Sequence, residues 1–405
     1  MHNAGPSVLS CVTDGDHYQQ MAWDKRRTAV TSVARALSAR LLGDAGERLM
    51  RSITLFDRLS PGGQRDVVKA PLFGYWWHRL SVLYREAQWE PLARWSAHLP
   101  RFLIRPLLTE RISFSDVALP VDANGHLWLP GMYWWIRVDA PSAIASSRAG
   151  LLELVGGSRV IRLAFDETPP DAEPLERLPG DILVSGDDPW IAGYLRRANE
   201  NSSAEGGLGD VSVAKAAEAA PDLAGAVNRV DSVWPEMAGE IRAIVQQIVP
   251  IHSRDTVAFS NTALDGLLFI RTDLADPVVA TERLIHETSH LRLNAVFTLR
   301  PFHDHLPSDR LHSPYRKTPR PVDGLVHGAF VFARIAEFHD RARRVFDSPA
   351  WSRRLREVLE MQAEALDLID SSVRLTPFGR AQCDGFRRSA DTITSALISD
   401  QAIGQ

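Results

Sequence analysis

Cysteine is nearly absent from this chain of 405 residues: only Cys11 and Cys383 are present, near opposite ends. Disulfide frameworks, zinc knuckles and CxxC redox motifs need closely spaced pairs, so all three are excluded and both thiols are expected to be free. Lysine is rare too, 4 of the 46 basic residues, which reads as genome composition rather than function. No apolar run approaches the ~20 residues needed to cross a bilayer. The opening Met1-His2-Asn3-Ala4-Gly5-Pro6 lacks both a basic n-region and a following apolar h-region. A cytoplasmic protein with no membrane partner is therefore expected. Positive charge is not in excess either, and a formal net charge of -4 speaks against general nucleic-acid binding.

What is present is ordinary globular usage, 45% apolar and 24% charged, which removes disordered and fibrous classes. The length exceeds the usual single core, so two lobes are expected. Charge is unevenly placed: 15 Lys and Arg face 7 Asp and Glu between Lys25 and Glu110, whereas Asp166 to Asp188 holds eight acids and one base, Arg177. Such a split would steer an acidic peptide toward the N-terminal lobe; solvated helix faces explain it as well.

Periodicity predicts an α+β, mostly α-helical fold. Val30, Val33, Ala34, Leu37 and Leu41 recur at helical steps, with further helical runs at 47–58 and 74–87. Short apolar runs at 127–129, 133–136 and 160–163, punctuated by Pro and Gly, read as a small mixed sheet. The division follows as a lobe over 1–198, a polar, glycine-rich linker over 199–210 and a second domain over 211–405. Within that domain the pattern predicts a helix from about Val230 to Val249 ended by Pro250, strands at 256–259 and 267–270, and a helix over about 277–297. A Pro- and His-rich loop at 301–322 and helices near 323–346, 351–371 and 381–397 complete it.

The chemistry-bearing motif is His286-Glu287-Thr288-Ser289-His290. HExxH on a helix sets two imidazoles one turn apart on one face, with the intervening Glu toward the open coordination side of a shared ion. Chance matches number roughly 0.02 for a chain of this composition. Strand, strand, then motif helix is the order of a zincin-like catalytic domain, in which this helix packs on a small sheet. A third ligand must come from elsewhere. Leu293 and Val296 stand where a metzincin has Gly and His, which excludes that class. His327 sits among apolar neighbours in Leu325-Val326-His327-Gly328-Ala329-Phe330 and is favoured; Glu337 is the alternative, and Glu337 and His339, beside Asp340 and Arg341, read as more solvent-facing. His303, Asp304, His305 and His312 read as a solvated loop. Ser313-Pro314-Tyr315-Arg316-Lys317-Thr318-Pro319-Arg320-Pro321 is a cationic approach to the His327 helix, and Arg316 or Arg320 suits a bidentate carboxylate clamp.

Leu284 to His290, then Ser313-Pro314-Tyr315-Arg316, then Arg320-Pro321-Val322-Asp323-Gly324-Leu325-Val326-His327-Gly328 and the late Leu375-Thr376-Pro377-Phe378-Gly379-Arg380 resemble the HExxH-motif peptide-modification family, over roughly 211–400. Members are described as iron- and 2-oxoglutarate-dependent peptide β-hydroxylases. The resemblance implies that His286, His290 and His327 hold Fe(II), that 2-oxoglutarate chelates it with its distal carboxylate on Arg316 or Arg320, and that O2 is the cosubstrate. It implies a ribosomally made precursor peptide as the substrate, hydroxylated at a Cβ, and a supporting role beside the metal for Glu287. Bare HExxH leaves a zinc metallopeptidase as the alternative, with Glu287 as general base on a zinc-bound water and Tyr315 or a loop histidine at the oxyanion. The Trp- and Arg-rich N-terminal stretch (Trp76, Trp77, Trp89, Trp95, Arg79, Arg85, Arg94) would suit a leader peptide, and a plain buried core accounts for its tryptophans equally.

Overall fold

The computed structural model describes residues 8–11, 17–41, 43–164, 167–200, 210–272, 276–306 and 308–403, with backbone alone at 316–318 and 401–403. The chain is mostly helical with small sheets, an α+β fold. Helices α1 (His17–Ser38), α2 (Asp44–Arg58), α3 (Pro61–Lys69), α4 (Phe73–Arg85), α5 (Trp89–Ser96) and α6 (Leu99–Thr109) come first. Their apolar stripes bury Val30, Leu37, Phe56, Trp76 and Phe102 in one core. Trp76 Nε1 donates to the Trp95 carbonyl and Trp95 Nε1 to the Trp76 carbonyl, both at 2.9 Å. These two indoles thus fasten α4 to α5 as core residues, while Trp89 is exposed.

Strands β1 (Phe114–Pro120), β2 (His126–Trp128), β3 (Trp134–Arg137), β4 (Ser142–Arg148), β5 (Leu151–Gly156), β6 (Arg159–Ala164) and β7 (Glu173–Pro174) follow. They form an antiparallel sheet in the order β1-β4-β5-β6 and a smaller one, β2-β3-β7. Alternation decides the faces: Ala143, Ala145 and Ser147 point inward and their neighbours outward.

The remaining elements are β8 (Glu176–Leu178), β9 (Ile182–Val184), α7 (Pro189–Glu200), β10 (Val211–Val213), α8 (Ala216–Val233), α9 (Pro235–Ile244), β11 (Gln247–Ser253), β12 (Ala258–Ser260), β13 (Leu267–Arg271) and α10 (Pro277–Leu299). After them come β14 (Arg310–Ser313), β15 (Arg316–Pro321), α11 (Val322–Val345), α12 (Pro349–Ser372) and α13 (Pro377–Ile403). The central sheet runs β12-β13-β11-β9-β8, with β10 also on β11. It draws strands from both sides of the 199–210 segment, of which residues 201–209 lie outside the described residues.

Two expected elements differ. The helix foreseen over Val230 to Val249 stops at Val233, a new one starts at Pro235, and 247–253 is the central strand. Proline fits a helix start, where its missing N–H is not needed. The run Ile248-Val249-Pro250-Ile251 is buried on both faces, and such a run carries no period that separates strand from helix. Pro250 is tolerated inside β11 because it stands where that strand changes neighbour: Gln247 and Ile248 pair with β9, and Ile251 to Ser253 pair with β10. The other difference lies in the expected loop at 301–322, whose second half is the β14–β15 hairpin.

Candidate metal centre

Helix α10 begins with Asp276, whose carboxylate accepts from Val278 N at 2.8 Å, followed by Pro277 at the first helical position. Its Thr288 and Ser289 hydroxyls donate to the carbonyls of Leu284 and Ile285 at 2.8 and 2.7 Å, so the polar residues inside the motif are satisfied within the helix. His286 and His290 then share one face, with their Nε2 atoms 3.1 Å apart and ring planes at 69°. Glu287 is buried. Ser260 Oγ, on β12, donates to Glu287 Oε2 at 2.9 Å, and Oε1 lies 4.0 Å from His286 Nε2.

Helix α11 delivers His327 to the same place. Its Nδ1 is 3.0 Å from Nδ1 of His290, and the Phe297 ring meets it edge-on with centroids 4.8 Å apart. Burial first, then the neighbouring His290 and Arg320, holds the His327 imidazole well below its ordinary pKa, in the neutral form that can ligate a metal. Arg320 is half-buried on β15. The Arg316 side chain lies outside the described residues.

Two facing imidazole nitrogens at 3.0 to 3.1 Å need either one proton between them or a cation that both lone pairs can share. Ligands about 2.1 Å from one ion stand about 3.0 to 3.4 Å from each other, so the His286 and His290 Nε2 atoms fit two adjacent ligand positions. The third does not converge on that point, because His290 turns Nε2 to His286 and Nδ1 to His327, and the three rings form a chain. Among the described residues no group of three or more His, Cys, Asp or Glu is arranged around one ion.

The protein matches no protein-family model and no curated protein.

Other expected residues fall elsewhere. Glu337 is ten residues beyond His327 on α11, about 15 Å along the axis, and accepts from Arg341 Nε at 2.9 Å. His339 is not solvent-facing: it is fully buried, with Nε2 3.1 Å from Glu282 Oε2, and Glu282 also accepts from Arg354 Nε and Nη2, both at 2.8 Å. Of the loop residues read as solvated, His303 and His305 are built in, while Asp304 is exposed. Arg374 N donates to His305 Nε2 at 2.9 Å, so His305 Nδ1 carries the proton given to Asp309 at 3.0 Å. His305 N donates to His303 Nδ1, leaving His303 Nε2 to donate to Asp323 at 2.8 Å. His312 is exposed. Residues that sequence reasoning missed are Ser260, whose contact with Glu287 spans 27 positions, and Phe332, whose ring meets His286 edge-on at 6.2 Å. Neither has a local signal.

Proposed function

We propose that this protein is a mononuclear Fe(II)- and 2-oxoglutarate-dependent oxygenase that hydroxylates a Cβ in a ribosomally made precursor peptide, on a zincin-like catalytic domain. The observation that carries the reading is the meeting of His286, His290 and a half-buried, neutral His327 beside the half-buried Arg320. A third imidazole serves either metal; the arginine next to it, suited to the carboxylate of a cosubstrate, is what favours the oxygenase. The zincin-like assignment is supported by β11, β12 and β13 immediately preceding the motif helix; the peptide substrate rests on the resemblance of residues 284–330.

In this reading His286 and His290 would hold the metal through their Nε2 atoms, with His327 beside them as the candidate for the third ligand. With 2-oxoglutarate bound, the iron supplies the O2-dependent hydrogen abstraction and hydroxyl transfer. Arg320, with Arg316 as the other candidate, binds the distal carboxylate of the cosubstrate in a fork and so fixes its orientation. Phe297 and Phe332 cover two of the imidazoles and exclude water from their edges. Ser260 holds Glu287 by one oxygen, which keeps the carboxylate beside His286 and fixes its direction.

That same buried carboxylate favours a second reading, a zinc metallopeptidase in which Glu287 takes the proton of a metal-bound water. One experiment separates the two. Anaerobic reconstitution with Fe(II), then addition of 2-oxoglutarate, should give a visible charge-transfer band that needs both components and weakens in Arg320→Ala or Arg316→Ala. No band, together with retained zinc and peptide cleavage lost in Glu287→Gln, makes the protein a peptidase.

A further inference from the structure

Helix α11 carries Gly324 and Gly328 one turn apart, although glycine is the poorest helix former after proline. Their surroundings say why they stand there. A Cβ at Gly328 would fall 2.2 Å from Cε2 and 2.3 Å from Cδ2 of Tyr315, and one at Gly324 would fall 3.3 Å from Nε and 3.4 Å from Cζ of Arg320. Both incoming side chains belong to the β14–β15 hairpin, Tyr315 at its turn and Arg320 on its returning strand. Residues four apart lie on one helix face, so the glycines form a track into which the hairpin sets two side chains, bordered by His327. Tyr315 is held further by stacking on Phe332, the next residue along the same face, with centroids 4.4 Å apart and planes 3° from parallel. Its phenol oxygen is buried with no hydrogen-bond partner among the described residues. The ring, not the hydroxyl, makes the attachment.

We propose that Tyr315 is a positioning residue: its ring, seated on Gly328 and stacked on Phe332, clamps the β14–β15 hairpin to α11 and so sets Arg320 beside His327 for the carboxylate of an acidic cosubstrate. The clamp follows from packing alone; the identity of the carboxylate rests on the oxygenase reading. The returning strand runs straight into α11 at Val322 and Leu311 packs half-buried on the same core, so the ring fixes the turn end of the hairpin and, with it, the course of the strand that carries the arginine.

The test compares Gly328→Ala, Tyr315→Ala and Tyr315→Phe in the full chain by hydrogen exchange of the 310–321 amides, and by calorimetric affinity of the Fe(II)-loaded protein for 2-oxoglutarate. Alanine at 328 favours the helix itself, so a loosened hairpin in that variant cannot be laid to a weakened α11. Gly328→Ala and Tyr315→Ala should speed hairpin exchange about tenfold or more and weaken 2-oxoglutarate binding by a similar factor, a loss of the size that small misplacements cause. Tyr315→Phe, which keeps the ring, should match the parent in both. Unchanged exchange in Gly328→Ala and Tyr315→Ala overturns the clamp. Faster exchange with undiminished 2-oxoglutarate affinity overturns its role in positioning Arg320, and loss of affinity in Tyr315→Phe assigns the role to the hydroxyl instead. Faster exchange in a protein whose parent binds no 2-oxoglutarate leaves the clamp standing and removes the oxygenase reading.

Discussion

Helices α10 and α11 meet through polar side chains at two places about two turns of α10 apart, Glu282 and His290, and the two contacts are built on opposite principles. At Glu282 the contact is closed by charge: the carboxylate accepts two hydrogen bonds from Arg354 and one from His339. At His290 the contact is imidazole on imidazole, 3.1 Å to His286 and 3.0 Å to His327, while Glu287, held by Ser260, keeps its other oxygen 4.0 Å from His286. A buried charge that finds its partners inside the protein holds a fold together. Imidazoles set nitrogen to nitrogen share a proton or, in the proposed reading, an ion, and this is the open cluster of the two.

This contrast can be broken at either end. The largest effect is expected at the closed cluster. Glu282→Ala leaves buried His339 without its acceptor and Arg354 with Glu357 alone, and should lower the stability of the metal-free protein by about 3 kcal/mol, the lower end for a broken buried pair since Arg354 keeps 28% of its side chain exposed. Denaturant unfolding reads this directly, and a loss below ~1 kcal/mol would remove the distinction.

Acid should act through the same residue. Burial raises the Glu282 pKa, and the hydrogen bonds from Arg354 and His339 more than offset it, so the folded carboxyl titrates well below its ordinary 4.5. A depressed carboxyl adds stability above its unfolded pKa and loses it as pH falls. The stability lead of the parent over Glu282→Gln should therefore be full above pH 4.5 and shrink progressively below it. A lead that does not vary with pH would show that Glu282 contributes by packing and not by charge.

The smallest effect is expected at the open cluster. His290→Ala in the metal-free protein should cost about 1 kcal/mol or less, since it removes a ring that presses two nitrogens against its neighbours. The same variant should abolish the rise in melting temperature that a divalent ion produces in the parent, about 2.7 kcal/mol at a hundredfold excess over Kd. An ion that stabilises His290→Ala as much as the parent is bound elsewhere.

The open cluster was the more legible of the two in the sequence. His286 and His290 announce themselves by spacing, α10 by its cap and unbroken apolar pattern, and His327 by apolar neighbours that leave an imidazole needing a partner. The closed cluster was hidden by its own composition. His339 stands next to Asp340 and Arg341, which suggests a wet face, yet the helix turns about 100° per residue and carries His339 inward while its charged neighbours point away. Glu282 meets Arg354 across 72 positions, and Ser260 reaches Glu287 from another element altogether; no periodicity encodes such meetings. The central strand β11 was missed for a different reason, since a segment buried on both faces has no alternation to read.

Helix α1 packs along α10, with Tyr18 in the same core as Leu291 and Lys25 Nζ donating to the Thr298 carbonyl at 3.1 Å. Helix α1 thus has its resting place on one whose first residue lies 260 positions later (277 minus 17). At about 5 to 20 residues per second, α1 waits on the order of tens of seconds with its apolar stripe uncovered or provisionally lodged. Helix α10 therefore meets the helix that backs it only when synthesis has passed residue 299, and His327 can join His286 and His290 only after that.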